Sequence, residues 1–236
     1  MSHTLIESGA QQWSIIGVGT LARRDMKHPE RPTSSDLGQR AFDLIAASVI
    51  VLALLPFLAL IAVTVALTSR GPIVFRQRRI GRDGVPFQCW KFRTMQVDAE
   101  ERLTDLLSRN ATARAEWARD HKLRFDPRIT RVGYLLRKTS LDELPQLINV
   151  LQGRMSLVGP RPIVLAECER YGRYFQAYCS VRPGITGLWQ ISGRNDVSYR
   201  RRVAFDVVYS RRRSVLLDFK ILALTLPSVA LQKGAY

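Results

Sequence analysis

The sequence LIAASVIVLALLPFLALIAVTVAL, residues 44–67, decides what kind of fold this chain can adopt, because it contains no charged residue. Its length exceeds the roughly 20 apolar residues that a helix needs to cross a hydrocarbon core. It begins too far along the chain to be a signal peptide. We therefore expect residues 37–70 to attach the protein to a membrane, after a polar, flexible tail over residues 1–36.

Two features leave the path of this segment through the membrane open. Pro56 lies near its middle, where it removes a backbone hydrogen bond and favours a kink. Arginines flank both ends, beginning with Arg40 on one side and Arg70 on the other, although positive residues normally stay cytoplasmic. A re-entrant helix that breaks at Pro56 would explain both features. A kinked single span is equally compatible with these residues, because transmembrane helices tolerate proline.

The rest of the chain is strongly basic, with 36 Lys plus Arg against 20 Asp plus Glu in 236 residues and a net charge of +16. Such an excess predicts an anionic partner, which could be nucleic acid, phospholipid headgroups or a phosphorylated substrate. The three cysteines, Cys89, Cys168 and Cys179, show no CxxC spacing, which argues against a disulfide framework or a zinc site.

Apolar and charged residues predict a mainly helical α+β domain over residues 71–236. Two β-prone runs, residues 73–80 and 85–92, flank Asp83-Gly84 and predict a β-hairpin. Residues 95–121 are charged, carry leucines at helical spacing and predict one surface helix. The stretch Ser214–Leu231 follows three arginines and reads either as an interfacial helix on anionic lipid or as a core helix of the domain.

The segment RKTSLDELPQLINVLQGRMSLVGPRP, residues 137–162, carries the strongest chemical signal. It places the adjacent carboxylates of Asp142 and Glu143 near a helix start and between basic clusters. A carboxylate there can attack phosphorus or hold Mg²⁺ beside a phosphate. The alternative is a capping box from Ser140 to Glu143, with Asp142 only favouring the helix dipole.

Basic residues near this segment are candidates for phosphate contacts. Arg161 lies in a rigid loop between prolines, and Lys91 and Arg93 alternate after the hairpin, so they would share a face if the strand continues. Each could equally be an ordinary surface charge. The chain has no P-loop, GxGxxG or HExxH motif, and its histidines lie far from the carboxylates.

Four ordered motifs resemble the bacterial sugar transferases, the monotopic phosphoglycosyl transferases, and especially their small exopolysaccharide members. The motifs are VFRQRRIGRDGVPFQCWKFRTM (74–95), DPRITRVGYLLRKTSLDELPQLINVLQGRMSLVGPRP (126–162), RPGITGLWQISGRN (182–195) and FDVVYSRRRSVLLDFKIL (205–222). The resemblance covers about residues 37–231. It implies transfer of galactose- or glucose-1-phosphate from a UDP-hexose to undecaprenyl phosphate, releasing UMP, as the first membrane step of exopolysaccharide synthesis.

The same resemblance implies roles for particular residues. Asp142 would be the nucleophile that forms an aspartyl-phosphosugar intermediate, and Glu143 would assist it as a metal or proton partner. Both carboxylates would hold Mg²⁺. Residues at basic or acidic motif positions would bind substrate; together with Arg93 from the alternation above, the substrate-binding set is Lys91, Arg93, Arg137, Arg161 and Asp206.

The resemblance also favours re-entrance of the membrane helix at Pro56. It places the chain at the bacterial inner membrane, with its catalytic domain and tail on the cytoplasmic face and anionic lipids as neighbours. One departure is Leu55, where family members commonly have serine before that proline. The interfacial C-terminal helix could support a homodimer.

Two rival functions remain open from the residues alone. A basic membrane-associated scaffold would need the carboxylates only as helix caps. A nucleic-acid binder would account for the charge and for Trp90 and Trp189, but it leaves the membrane segment unexplained and lacks a known binding motif. We therefore expect no nucleic-acid partner.

Overall fold

The computed structural model describes residues 34–120, 123, 125–193 and 197–230, and over these residues the chain is mostly helical. The helices are α1 (Ser34–Thr68), α2 (Ala99–Arg109), α3 (Ala111–Asp120), α4 (Arg131–Lys138), α5 (Gln146–Leu151), α6 (Cys168–Tyr171), α7 (Phe175–Cys179), α8 (Leu188–Ile191), α9 (Tyr199–Arg212) and α10 (Val215–Ala230). The strands are β1 (Val74–Ile80), β2 (Pro86–Phe92), β3 (Ser156–Val158) and β4 (Gly184–Thr186). The prediction of a mainly helical α+β domain is confirmed.

Helix α1 is long and apolar enough to cross a membrane, and only 11% of its most apolar window is buried in the protein. That exposure distinguishes it from the core helix of a soluble domain. It is one continuous helix through Pro56, and its re-entrance stays a prediction. The tail predicted for residues 1–36 lies outside the described residues, except for its last three, which begin α1.

The first part of α1 is tied to the domain by two polar side chains. Arg40 donates from Nη1 to the carbonyl oxygen of Val150 at 2.6 Å and from Nη2 to that of Leu151 at 2.9 Å. It therefore caps the carboxyl end of α5, where helical carbonyls lack partners. Asp43 Oδ1 accepts hydrogen bonds from the Leu157 amide at 2.9 Å and the Ser156 hydroxyl at 3.0 Å.

The last part of α1 contacts the same domain. Ile61 and Val65 are buried and pack with Phe92 and Leu136. Between the two attached parts, most residues of the stretch 52–60 are exposed. Both ends of α1 therefore contact the domain, while the side chains of its middle are largely exposed.

Strands β1 and β2 form the predicted hairpin, with an antiparallel register from Val74 opposite Phe92 to Ile80 opposite Pro86. Its turn places Asp83 and Gly84 at φ 58° and 69°, a conformation that Asp and Gly tolerate better than most residues. Pro86 begins β2, where its missing N–H costs least.

The expected single helix over residues 95–121 is wrong, because α2 and α3 are separated at Asn110. Asn110 leaves the helical region, at φ −121° and ψ 105°. Its Oδ1 accepts a hydrogen bond from the Ala113 amide at 2.9 Å. Its side chain therefore supports the start of a new helix, which is the usual preference of asparagine.

Helix α10 has one face in the core and one face exposed. On the inner face, Ile221 is 1% exposed, and Asp218 accepts from Gln39 Nε2 at 2.8 Å and from the Tyr209 hydroxyl at 2.7 Å. On the outer face, Leu216 and Phe219 are 65% and 61% exposed. The alternative of a core helix is therefore confirmed for the inner face, whereas the outer face is apolar and exposed.

Gly133→Ala should destabilise the fold. Gly133 lies in α4, and a Cβ there would lie 2.1 Å from the Thr94 carbonyl oxygen. Overpacking of this kind costs about 1–3 kcal/mol, which exceeds the helix propensity gained by alanine. We expect a lower midpoint of thermal unfolding in detergent. The control is Gly38→Ala in α1, where the nearest neighbour would be at 3.9 Å; equal midpoints for the two variants would contradict the assignment.

Candidate active site

The carboxylate pair lies in a short turn between α4 and α5. Ser140 adopts φ 58°, and a 3₁₀ turn follows at Leu141–Glu143 before Pro145 caps α5. The Ser140 side chain makes no cap hydrogen bond. The capping-box alternative is therefore wrong, and another contact holds the Glu143 side chain.

That contact is an ion pair with Lys91, whose Nζ donates to Glu143 Oε1 at 2.5 Å. Lys91 extends from β2 towards the carboxylate turn. Asn149 fixes the position of α5 against β2. Its Oδ1 accepts from the Trp90 amide at 3.0 Å, and its Nδ2 donates to the Gln88 carbonyl at 2.8 Å. Asn149 is 1% exposed, so these bonds are shielded from water.

The two neighbouring carboxyl groups have opposite shifts of pKa. Burial raises the pKa of Asp142 to about 6, with a further rise from the charge of Glu143, against the opposing charges of Lys91 and Arg137. Burial also acts to raise the pKa of Glu143, but Lys91 and Arg161 outweigh it, and the net pKa lies below its usual value. At neutral pH Glu143 is therefore a paired anion, while Asp142 titrates close to neutrality. Such unequal pairs are common at functional sites.

A narrow pocket of about 50 Å³ adjoins this pair. Lys91, Glu143 and Arg161, all predicted as site residues, line it together. The Arg161 guanidinium lies 5.9 Å from the centre of the Trp189 ring, a cation–π geometry. Cationic side chains around one small cavity favour an anionic ligand such as a phosphate.

Seven further lining residues were not among the predicted site residues, and three of them carry an arginine or glutamine side chain, namely Arg79, Gln146 and Gln190. Arg79 is the last residue but one of β1, and its sequence context gave only a flanking positive charge. Gln146 begins α5, just after the carboxylate turn, and is 2% exposed. Buried polar residues beside a carboxylate pair are a signal for a site, but burial is not readable from this stretch of sequence.

Asp142 and Arg137, also predicted as site residues, are not among the residues that line the pocket. Asp142 is 8% exposed, and it interacts electrostatically with Arg137. The Arg137 Nε donates to the Thr94 hydroxyl at 2.8 Å, which holds the guanidinium near the carboxylate turn.

The structure places Arg93 apart from Lys91, because β2 ends at Phe92 and the alternation does not continue. Arg93 donates from Nη2 to the Ser69 carbonyl and hydroxyl oxygens at 2.6 and 2.7 Å, and from Nη1 to the Pro72 carbonyl. These contacts fasten the end of α1, and a role of Arg93 in substrate binding stays a prediction.

Asp206 lies in α9 and is 2% exposed. It accepts a hydrogen bond from the Tyr171 hydroxyl at 2.7 Å. Burial raises its pKa to about 7, with opposing contributions from that hydrogen bond and from the charges of Arg161 and Arg202. Asp206 is not among the residues that line the pocket, and its predicted contact with substrate stays a prediction.

Among residues 34–120, 123, 125–193 and 197–230, no cluster of three or more His, Cys, Asp or Glu side chains could hold a metal ion. The acidic pair, Asp142 and Glu143, therefore supplies protein carboxylates but not a complete protein cage.

Fold and site together define a domain with an apolar anchoring helix, in which a cationic pocket adjoins two unequal carboxyl groups. The model of the family described as bacterial sugar transferase matches residues 34–232, and the chain belongs to this family. The membership predicted from the four sequence motifs is confirmed.

The chain is similar to several named proteins. It is 50% identical over 203 residues to the UDP-galactose-lipid carrier transferase of Erwinia amylovora, covering 86% of this chain and 42% of that protein. It is 48% identical over 200 residues to the exopolysaccharide production protein ExoY of Rhizobium meliloti (strain 1021), covering 85% and 88%. It is 47% identical over 203 residues to the undecaprenyl-phosphate galactose phosphotransferase of Salmonella typhimurium, covering 86% and 42%. The chain thus spans less than half of the first and third proteins and most of the second.

Proposed function

We propose that this protein transfers galactose-1-phosphate or glucose-1-phosphate from a UDP-hexose to undecaprenyl phosphate and releases UMP, in the first membrane step of exopolysaccharide synthesis. The observation that carries the proposal is the cationic pocket beside the unequal pair Asp142 and Glu143. The names of the relatives support the lipid acceptor and galactose, and the motif resemblance extends the proposal to glucose. The apolar helix α1 supports a substrate that resides in a membrane.

The reaction would proceed in two displacements. A carboxylate oxygen of Asp142 attacks the phosphorus next to the sugar, the bond to the UMP oxygen breaks, and UMP leaves with the bonding electrons. A phosphate oxygen of undecaprenyl phosphate then attacks the same phosphorus and releases the Asp142 carboxylate. An aspartate with a pKa near 6 suits this role, because it is largely ionised at neutral pH and more basic than an ordinary one.

The basic residues would bind and orient the diphosphate. Lys91 and Arg161 line the pocket, where cations offset the repulsion between the substrate and the carboxylates. Lys91 would also keep Glu143 ionised and in place. Arg137 would hold the negatively charged diphosphate of the substrate close to Asp142.

Asp142 and Glu143 fit a magnesium site in which substrate phosphates supply further ligands. Mg²⁺ is commonly held by one or two protein carboxylates together with phosphate oxygens. Asp142 and Glu143 would hold it, and the bound ion would reduce the negative charge of the diphosphate.

We propose a re-entrant path for α1 in the bacterial inner membrane, with the catalytic domain on the cytoplasmic face. Supporting contacts lie at both ends of the helix: Arg40 on α5 and Val65 against the hairpin side of the domain. A straight span would carry one end away from the domain. The open apolar face of α10, next to Arg211 and Arg212, would rest on anionic lipid.

Transfer should depend on Asp142 and on a divalent cation. We expect purified protein in nanodiscs to release UMP from UDP-galactose or UDP-glucose when Mg²⁺ and undecaprenyl phosphate are present, and excess EDTA to stop it. Asp142→Asn should lower the rate at least about a thousandfold, since an amide is a poor nucleophile. The control is Asp98→Asn, an exposed pair with Arg102. UMP release by Asp142→Asn at the control rate would contradict the role of Asp142 as nucleophile. Absence of UMP release from the folded wild type would favour the scaffold.

The pH profile should show the ionisation of Asp142. Because this carboxyl must be deprotonated to attack, kcat/KM should fall as the pH drops through about 6. Lys91 lowers the pKa of Asp142, so Lys91→Met should move the acidic limb to higher pH. Arg102→Met, remote from the site, is the control. A limb that stays in place in Lys91→Met would contradict the proposed coupling.

Cysteine labelling should distinguish the two helix paths. Cys89, Cys168 and Cys179 are buried, so single cysteines introduced at Leu37 and Arg70 would dominate reaction with an impermeant maleimide. In sealed inside-out vesicles, re-entrance predicts labelling at both positions. Labelling at one position, with the other reacting only after the vesicles are opened, would establish a single span.

A further inference from the structure

A partly buried arginine near the end of β1 has no assigned role in the reaction. The Arg79 side chain is 12% exposed and forms a contact with Glu167 at 3.7 Å. Its Nη2 donates to Gln77 Oε1 at 2.7 Å, and its Nη1 donates to the carbonyl oxygen of Pro162 at 3.1 Å. Two neighbours therefore hold the guanidinium against the backbone of a third residue.

That backbone belongs to the loop that carries Arg161. On one side of the loop, the Gly184 amide donates to the Pro160 carbonyl at 2.8 Å. On the other side, Arg79 holds the Pro162 carbonyl. The prolines that flank Arg161 have no backbone N–H and cannot donate hydrogen bonds. The hydrogen bonds that hold this loop therefore come from donors in other segments, which bind its carbonyl groups.

A second layer fixes the same junction. The Ile80 amide donates to the Ile163 carbonyl at 2.9 Å. The Tyr178 hydroxyl donates to the Ile80 carbonyl at 2.6 Å and accepts from the Ile163 amide at 3.3 Å. The end of β1 is thereby joined to the residues directly after Arg161, and Arg79 is the charged member of this junction.

The charge balance around Arg79 also fits a supporting role. Burial lowers the pKa of Arg79, and the like charge of Arg161 adds to this effect, while Glu167 opposes it. Glu167 is itself fixed, because its Oε2 accepts from the Val164 amide at 3.0 Å. Arg79 and Arg161 both line the pocket. The Arg79 guanidinium donates to Gln77 and to the Pro162 carbonyl and has Glu167 as its counter-charge, whereas the Arg161 guanidinium lies over the Trp189 ring.

We propose that Arg79 is a positioning residue for Arg161: it holds the Pro162 carbonyl, with Glu167 as its counter-charge, so that the Arg161 guanidinium faces the pocket and binds a phosphate of the ligand. The inference rests on the proposed function for the identity of that ligand. It predicts that loss of Arg79 acts on phosphate binding only through Arg161.

A double-mutant cycle on UMP binding tests this dependence. Isothermal titration of the full chain in nanodiscs would give Kd for the wild type, Arg79→Met, Arg161→Met and the double variant. We expect each single change to weaken binding about tenfold, the size of one charge-assisted hydrogen bond, and the double variant to be no weaker than Arg161→Met. Arg78→Met, an exposed neighbour on β1, should bind as the wild type does.

Additive losses, or unchanged UMP binding in Arg79→Met, would overturn the inference, as would a wild type that binds no UMP. If Arg79→Met unfolds, Glu167→Gln takes its place; it removes the counter-charge, should weaken UMP binding, and should raise the KM for UDP-hexose more than it lowers kcat. An unchanged Kd in folded Glu167→Gln would then overturn the inference. If the wild type binds UMP but releases none from a UDP-hexose, the proposed function is refuted. The double-mutant cycle on UMP binding would still test the role of Arg79.

Discussion

The ion pair between Lys91 and Glu143 is the interaction on which the site depends. It joins the β-hairpin to the carboxylate turn and neutralises the more acidic member of an adjacent acidic pair. Asp142 is then left to titrate near pH 6 in a buried position. Without the lysine, two neighbouring anions would repel the phosphates that the basic pocket attracts. The same contact therefore keeps Glu143 ionised and lowers the pKa of Asp142 against the effect of burial.

The attachment of α1 places this site relative to the membrane. Arg40 caps α5, the helix that follows the carboxylate turn, and Asp43 binds the backbone of β3. At the other end of α1, Arg93 fastens Ser69 from just beyond the strand that carries Lys91. A membrane helix attached on both sides of the carboxylate turn would hold Asp142 at a fixed height above the lipid. That constraint suits an acceptor whose phosphate lies at the membrane surface.

Local signals in the sequence were sufficient for the elements that need only neighbours in the chain. The apolar run, the hairpin around Asp83-Gly84 and the mainly helical character were predicted correctly. The break at Asn110 was missed, because a side chain that can cap a helix is also tolerated within one. The capping box failed for a related reason: Glu143 has a stronger partner in Lys91, which is 52 residues away. Contacts of that range, like the role of Arg79 and the pairing of β3 with β4, follow from packing and not from local pattern. The adjacent carboxylates of Asp142 and Glu143 were visible in the sequence, and their expected roles came from motif resemblance and stay predictions; the structure adds the opposite shifts of their pKa.

The most direct test of the central claim is intact-mass spectrometry of the protein in nanodiscs with Mg²⁺ and a UDP-hexose, without the lipid acceptor. The account predicts a hexose-phosphate adduct that peptide mapping places on Asp142, that is absent in Asp142→Asn, and that disappears when undecaprenyl phosphate is added. An adduct on another residue would contradict the assignment of the nucleophile. UMP release that requires the acceptor and never passes through an adduct would contradict the covalent route.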